Sequence, residues 1–240
     1  MAARASMIDC EVACEVLYLE PTCRCRMHAP YLTAAFALVL LVVYTAGCGF
    51  DEAAGCVAYQ GALALPSDTR PGSADAYRMW TLVLSHASWL HLALNLLSTV
   101  HLAALVEAVH GPARLAVVMA GATYFGSLNF LWNGRAGVQM VGASAVAYGM
   151  IGAYAQSILL NGAWRRRTRR KLVARILLLG GQVLLELALA AYAGGHVATT
   201  AHIGGFLAGF TAGVAVLSER PRAAALLAVG CLLGSKYAGL

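Results

Sequence analysis

Charge is what this sequence has least of. Only 12% of its 240 residues are Asp, Glu, Lys or Arg, whereas 60% are hydrophobic. A soluble domain carries about 25% charged residues. The deficit, with a mean hydropathy of +0.69, excludes an ordinary soluble protein and describes an integral membrane protein with little soluble mass. Acid is scarcer still inside the apolar runs. All four aspartates (Asp9, Asp51, Asp68 and Asp75) lie outside them, which excludes the paired aspartates of an aspartyl-type intramembrane protease. The string H-E-x-x-H is missing as well, and with it the helix of a zinc metalloprotease. The first 30 residues lack the apolar core of a signal peptide. They also carry Asp9, Glu11, Glu15 and Glu20, which argues against a mitochondrial presequence, since those are poor in acids.

Seven cysteines are present, an odd number. Cys10, Cys14, Cys23 and Cys25 sit in the polar N-terminal arm with the spacing C-x3-C-x8-C-x-C. That spacing fits no strong zinc pattern, so reduced or acylated thiols are the simpler reading. Cys48 and Cys56 flank the start of the first loop and can pair if it faces an oxidising compartment.

The net charge of +6 is concentrated in one place. Arg165, Arg166, Arg167, Arg169, Arg170 and Lys171 form a cluster with Arg175 close behind. Between two apolar spans such a run reads as a cytoplasmic loop under the positive-inside rule, and no nucleic-acid partner is expected. A bilayer core about 30 Å thick needs roughly 20 apolar residues per helix. On that ruler the spans fall near 31–49, 81–106, 114–132, 140–160, 172–193 and 200–217. The stretch 223–234 is apolar but short, and reads as a seventh span or an interfacial helix. With the arginine loop inside, the N-terminus is cytoplasmic and the long loop 50–80 lies outside or in a lumen. Arg220 and Arg222, after span six, fall on the cytoplasmic side too.

This orientation places the polar residues by depth. Ser144 comes about one turn into span four from the outer face, at 1.5 Å per residue. His202 lies near the outer end of span six, and His91 and Asn95 share one face of span two, one turn apart. A polar residue in a span costs free energy and is a functional hypothesis by default. Packing residues scattered at random would have no reason to share a depth. A serine needs a base within hydrogen-bond reach, and His202 is the best candidate. Gly205 and Gly209 lie on the His202 stripe and allow close helix approach, with Gly142, Gly149 and Gly152 as small partners on span four. Tyr148, one turn after Ser144, can stack on the imidazole. Asn95, His91 and the Ser144 N–H can serve a developing oxyanion. With no Asp in any span, a Ser–His dyad is implied. Glu107 and Glu186 leave a transporter pathway open.

These residues resemble the rhomboid intramembrane serine proteases. G-A-S-A-V-A-Y-G at 142–149 is similar to the family's G-x-S-x sequence with a tyrosine one turn later. S-H-A-S-W-L-H-L-A-L-N at 85–95 is similar to its H-x-x-x-N sequence with an upstream histidine, here His86. A-H-I-G-G-F-L-A-G at 201–209 is similar to its A-H-x-x-G-x-x-x-G sequence, and the likeness runs from about 75 to 217. Ala145 departs from the glycine that commonly follows the serine, and Tyr77-Arg78 stands where the family has Trp-Arg.

The resemblance implies an all-α polytopic membrane protein with a rhomboid-like six-helix bundle, sometimes extended by a seventh helix. It implies Ser144 as nucleophile, His202 as base, His91 and Asn95 as oxyanion donors, and Tyr148 as support for His202. Glu107 would brace the cytoplasmic end of helix two. The expected organisation is an N-terminal arm over 1–30, a membrane domain over 31–217 and a tail over 218–240. The expected activity is serine-type cleavage of single-span membrane proteins within the lipid bilayer, with no cofactor and no metal. The membrane would be endomembrane or plasma membrane rather than mitochondrial. The alternative is a non-catalytic binder or chaperone of membrane helices.

Overall fold

The computed structural model describes residues 28–48, 62–160 and 198–217, with isolated positions between Val173 and Ala188. The N-terminal cysteines, Cys56, the arginine cluster, Glu186, most of the expected fifth span and the stretch 223–234 lie outside the described residues.

The first helix, α1, runs Tyr31–Cys48. It buries Thr33, Leu40, Tyr44 and Cys48 and turns Leu38, Val39, Leu41 and Val42 outward, an apolar face suited to lipid rather than water. After it comes a two-residue strand β1, Leu65–Pro66. A 3₁₀ turn at Ala74–Tyr77 then leads into the short helix α2, Arg78–Thr81. A second 3₁₀ turn covers Leu82–Leu84. Helices α3 (Trp89–His110) and α4 (Pro112–Asn133) follow, then strand β2 (Gln139–Met140), α5 (Ser144–Leu160) and α6 (Thr199–Leu217). Among the described residues four helices, α1, α3, α4 and α6, are long and apolar enough to cross a membrane. The chain is an all-α polytopic membrane protein; among the described residues its one sheet is the two-residue pairing of β1 with β2.

Local chemistry sets where the helices start and stop. The expected second span, 81–106, begins later than its hydropathy suggests, because Ser88 caps α3 by accepting from the His91 N–H at 3.2 Å. The apolar residues just before it form the 3₁₀ turn instead. At the far end Gly111, at φ +83, closes α3, and Pro112 opens α4 at once. Glycine tolerates that φ, and proline needs no donor at a first helical position. The expected fourth span, 140–160, also starts late. Gly142 at φ +101 breaks the chain between β2 and α5, so Ser144 is the first residue of its helix rather than one turn in.

The tightest association in the bundle is between α5 and α6, with α4 against both. Glycines make it possible. A methyl added at Gly205 or Gly209 would run into the backbone of Ala145 or Gly149, and one at Gly152 into the Phe206 carbonyl. Backbone-to-backbone contact of this kind is how membrane helices gain packing energy without a hydrophobic driving force. At the opposite end of the molecule from Ser144, Glu107 is fully buried on α3. It accepts from the Leu32 and Thr33 N–H groups, each at 2.8 Å, and from the Thr33 hydroxyl at 2.7 Å. The carboxylate thus satisfies the orphan donors at the start of α1, which is a capping arrangement and not the lining of a path.

Candidate active site

Ser144 and His202 meet. His202 Nε2 lies 2.9 Å from Ser144 Oγ, and both side chains are buried. With its proton on Nδ1, the imidazole accepts from the hydroxyl, the arrangement a general base needs. Tyr148 stacks on the ring, with centroids 4.1 Å apart and planes at 11°. The stack leaves the imidazole little freedom to rotate away from Oγ. Gly205 and Gly209 hold α6 against α5 and so bring the two side chains within reach.

The floor of the site is Gly142. A Cβ built there would stand 2.7 Å from His91 Cε1, 3.0 Å from His91 Nε2 and 3.2 Å from Asn95 Nδ2. The space above this glycine is therefore where the two α3 side chains converge. His91 Nδ1 accepts from the Ala87 N–H at 3.4 Å, which leaves the ring proton on Nε2, the atom facing Gly142. Asn95 Nδ2 is buried with no hydrogen-bond partner among the described residues. Ser144, as the first helical residue, has a backbone N–H with no partner one turn back. Three donors thus surround one small volume beside Oγ, as an oxyanion requires.

His86 lies off the α3 helix, in the loop before it. Its Nε2 accepts from the Ala143 N–H at 3.3 Å, and its ring meets His91 edge-on at 5.4 Å. It holds the peptide immediately before the serine and supports His91 from behind. Tyr44 of α1 packs edge-on against Trp89 at 4.6 Å and His86 at 6.4 Å, so α1 buttresses this loop. Arg78 ties the first loop together. Its Nη1 donates to the Ala64 carbonyl at 3.2 Å, and its Nε pairs with Asp75 at 3.3 Å. β1 then pairs Leu65 with Met140 and Pro66 with Gln139, which joins that loop to the strand leading into Ser144.

The structure thus gathers Ser144, His202, Tyr148, His91, Asn95, Gly142 and His86 at one end of the bundle. Glu107 sits at the other end, and Arg78 in the loop beside the site. Sequence reasoning missed two asparagines. Asn129 on α4 donates to the Thr200 carbonyl at 2.6 Å, and Asn133 donates to Asn129 Oδ1 at 2.8 Å. Two polar residues one turn apart at the end of an apolar span were the available signal. It also missed Ser127, which donates to the Met79 carbonyl at 2.9 Å and fixes α2 on α4.

The sequence is similar to those of known proteins. The Rhomboid domain family matches residues 73–219, more than half of the chain. "RHOMBOID-like protein 1" of Arabidopsis thaliana is 30% identical over 143 residues, 60% of this chain and 35% of its own length. "Rhomboid-related protein 3" of Homo sapiens is 30% identical over 151 residues, 60% of this chain and 37% of its own length. The chain spans little more than a third of these two curated relatives. The matched region contains every element of the site from Arg78 to Gly209, and the chain belongs to the rhomboid family.

Proposed function

We propose that this protein is an intramembrane serine endopeptidase that cleaves transmembrane segments of other membrane proteins. The observation that carries the reading is the 2.9 Å contact between Ser144 Oγ and His202 Nε2 beside a ring of unspent donors. Ser144 Oγ attacks the scissile carbonyl carbon as His202 Nε2 takes its proton. The oxyanion is met by His91 Nε2–H, Asn95 Nδ2–H and the Ser144 N–H. Collapse of the tetrahedral species breaks the C–N bond, and the amine leaves with the proton from His202. Water, deprotonated by the same imidazole, then attacks the acyl-enzyme, releasing the carboxylate product and restoring the serine. No cofactor or metal enters the scheme.

The domain reading stands with it: an arm over 1–30, the membrane domain over 31–217 and a tail over 218–240. Substrates are single-span proteins that approach through the bilayer. Small residues near the cut are favoured, because an intact helix hides its carbonyls in internal hydrogen bonds. Two observations support an outer or lumenal position for the Ser144 end. The arginine cluster 165–171 follows α5 at the opposite end, where the positive-inside rule puts the cytoplasm. Cys48, at the Ser144 end of α1, is disulfide-bonded, and disulfides persist in oxidising compartments. A non-catalytic binder of membrane helices has no need of a base hydrogen-bonded to a serine, so cleavage is the better reading.

The test is cleavage of a panel of fluorescently tagged single-span substrates by purified protein in detergent. Wild type is expected to cut, and folded Ser144→Ala and His202→Ala to lose cutting entirely. Cleavage that survives Ser144→Ala removes the proposed nucleophile. A wild type that binds substrate helices without cutting them favours the binder.

A further inference from the structure

The dyad needs His202 at a fixed height and rotation, and the start of α6 that sets both lies beside a cavity. Deeper in, Gly205 and Gly209 press it against α5, and Gly213 lies against Ala153. At its start, Ala198, Thr199 and Thr200 border an open cavity of about 240 Å³, lined across from them by Phe130, Asn133, Arg135 and Val138. Ala201 and His202 themselves are buried, but the residues that lead into them border the cavity. A polar contact reaches across it. Asn129 Nδ2 donates to the Thr200 carbonyl at 2.6 Å, two residues before His202. Asn133 fills the other face of that amide by donating to Asn129 Oδ1 at 2.8 Å, which fixes which way the amide points. Gly204 lets the two helices approach here, since a Cβ on it would stand 2.7 Å from Asn129 Cβ and 2.7 Å from the Phe125 carbonyl.

We propose that Asn129 is a positioning residue: by tying α4 to the Thr200 carbonyl it sets the first turn of α6, and with it the approach of His202 to Ser144. The inference rests on the proteolytic reading above for its effect on rate, but the tie itself does not. The α6 turn is held from three directions, by the His202 amide bonded to the Ala198 carbonyl at 3.1 Å, by the Tyr148 stack on the ring and by Asn129 on the backbone. The last joins the turn to α4, where Gly126 also lies against the Ala201 carbonyl. Without it the first turn frays, as helix ends do when their groups lose partners, and the base spends less time at 2.9 Å.

The experiment compares full-length wild type with Asn129→Leu, which keeps the branched shape without the donor. Asn129→Asp, the same size with an acceptor in place of the donor, is the second variant should the first not fold. Three readouts are taken: hydrogen exchange of the 202–205 amides, labelling of Ser144 by a fluorophosphonate, and kcat and KM for a cleaved substrate. Exchange at 202–205 is expected to rise about tenfold over that within α5. The labelling rate and kcat are expected to fall about tenfold with KM unchanged, since small misplacements of a catalytic group cost rate rather than binding. Unchanged exchange overturns the tie. Faster exchange with unchanged kcat overturns the positioning role. Faster exchange in a protein whose wild type neither labels nor cuts supports the tie and removes the proteolytic reading.

Discussion

Asn95 is a burden to the fold that the proposed chemistry would explain. Its Nδ2 is buried without a hydrogen-bond partner among the described residues, and an unpaired buried donor costs about 1–3 kcal/mol. The cost makes sense if the partner arrives only as an oxyanion above Gly142. Asn95→Leu is therefore expected to raise the melting temperature in detergent while lowering kcat by about tenfold to a hundredfold, because one of three donors is lost. Lower stability with intact kcat would show instead that Asn95 is a packing residue. At this scale several polar groups that interrupt apolar runs were legible: Ser144 meets His202, and His91 and Asn95 converge on Gly142. Asn129 was equally visible as a polar residue, but its meaning was not, because the carbonyl it holds is 71 positions away in the chain. His86 was readable as a histidine of the likeness, not as the acceptor of the Ala143 N–H.

Among elements, the pair α5 and α6 decides whether there is a site at all. The glycine stripe on α6 was legible as His202, Gly205 and Gly209 at helical spacing, and it packs on α5 as that spacing requires. What hydropathy did not reveal was where helices begin. Leu82–Leu84 is as apolar as the helix after it, yet folds as a 3₁₀ turn because Ser88 claims the cap. Ser144 likewise starts α5 because Gly142 takes a left-handed φ. Such boundaries are set by single side-chain and backbone bonds, to which a window of hydropathy is blind. The element-scale prediction concerns Gly209, where an added methyl would meet the Gly149 carbonyl. Neither backbone can yield without parting the helices, and overpacking of this kind costs about 1–3 kcal/mol. Gly209→Ala should lower thermal stability and slow fluorophosphonate labelling of Ser144. Gly121→Ala on α4 has open space around it and should change neither. Equal behaviour of the two variants would remove close helix contact as the device that assembles the dyad.

On the scale of the whole molecule, the two ends of the bundle differ in kind. One end holds the Ser144–His202 pair, the proposed oxyanion donors and disulfide-bonded Cys48. The other holds Glu107 capping α1, with the arginine cluster following α5. Charge asymmetry and the disulfide are physically unrelated signals. The first reports the bias of insertion toward retaining positive loops in the cytoplasm, the second the redox state of a compartment. Their agreement predicts a definite topology. An N-x-S acceptor site introduced within 50–60 should be glycosylated in microsomes, and one introduced within 163–170 should not. A soluble fragment of a cleaved substrate should then appear on the lumenal or extracellular side, since Ser144 starts its helix at that end. The reverse glycosylation pattern would set seven basic residues (Arg165, Arg166, Arg167, Arg169, Arg170, Lys171 and Arg175) outside and leave the Cys48 disulfide in a reducing compartment. Both physical arguments would then fail together, and the release of cleavage products would have to be sought on the cytoplasmic side.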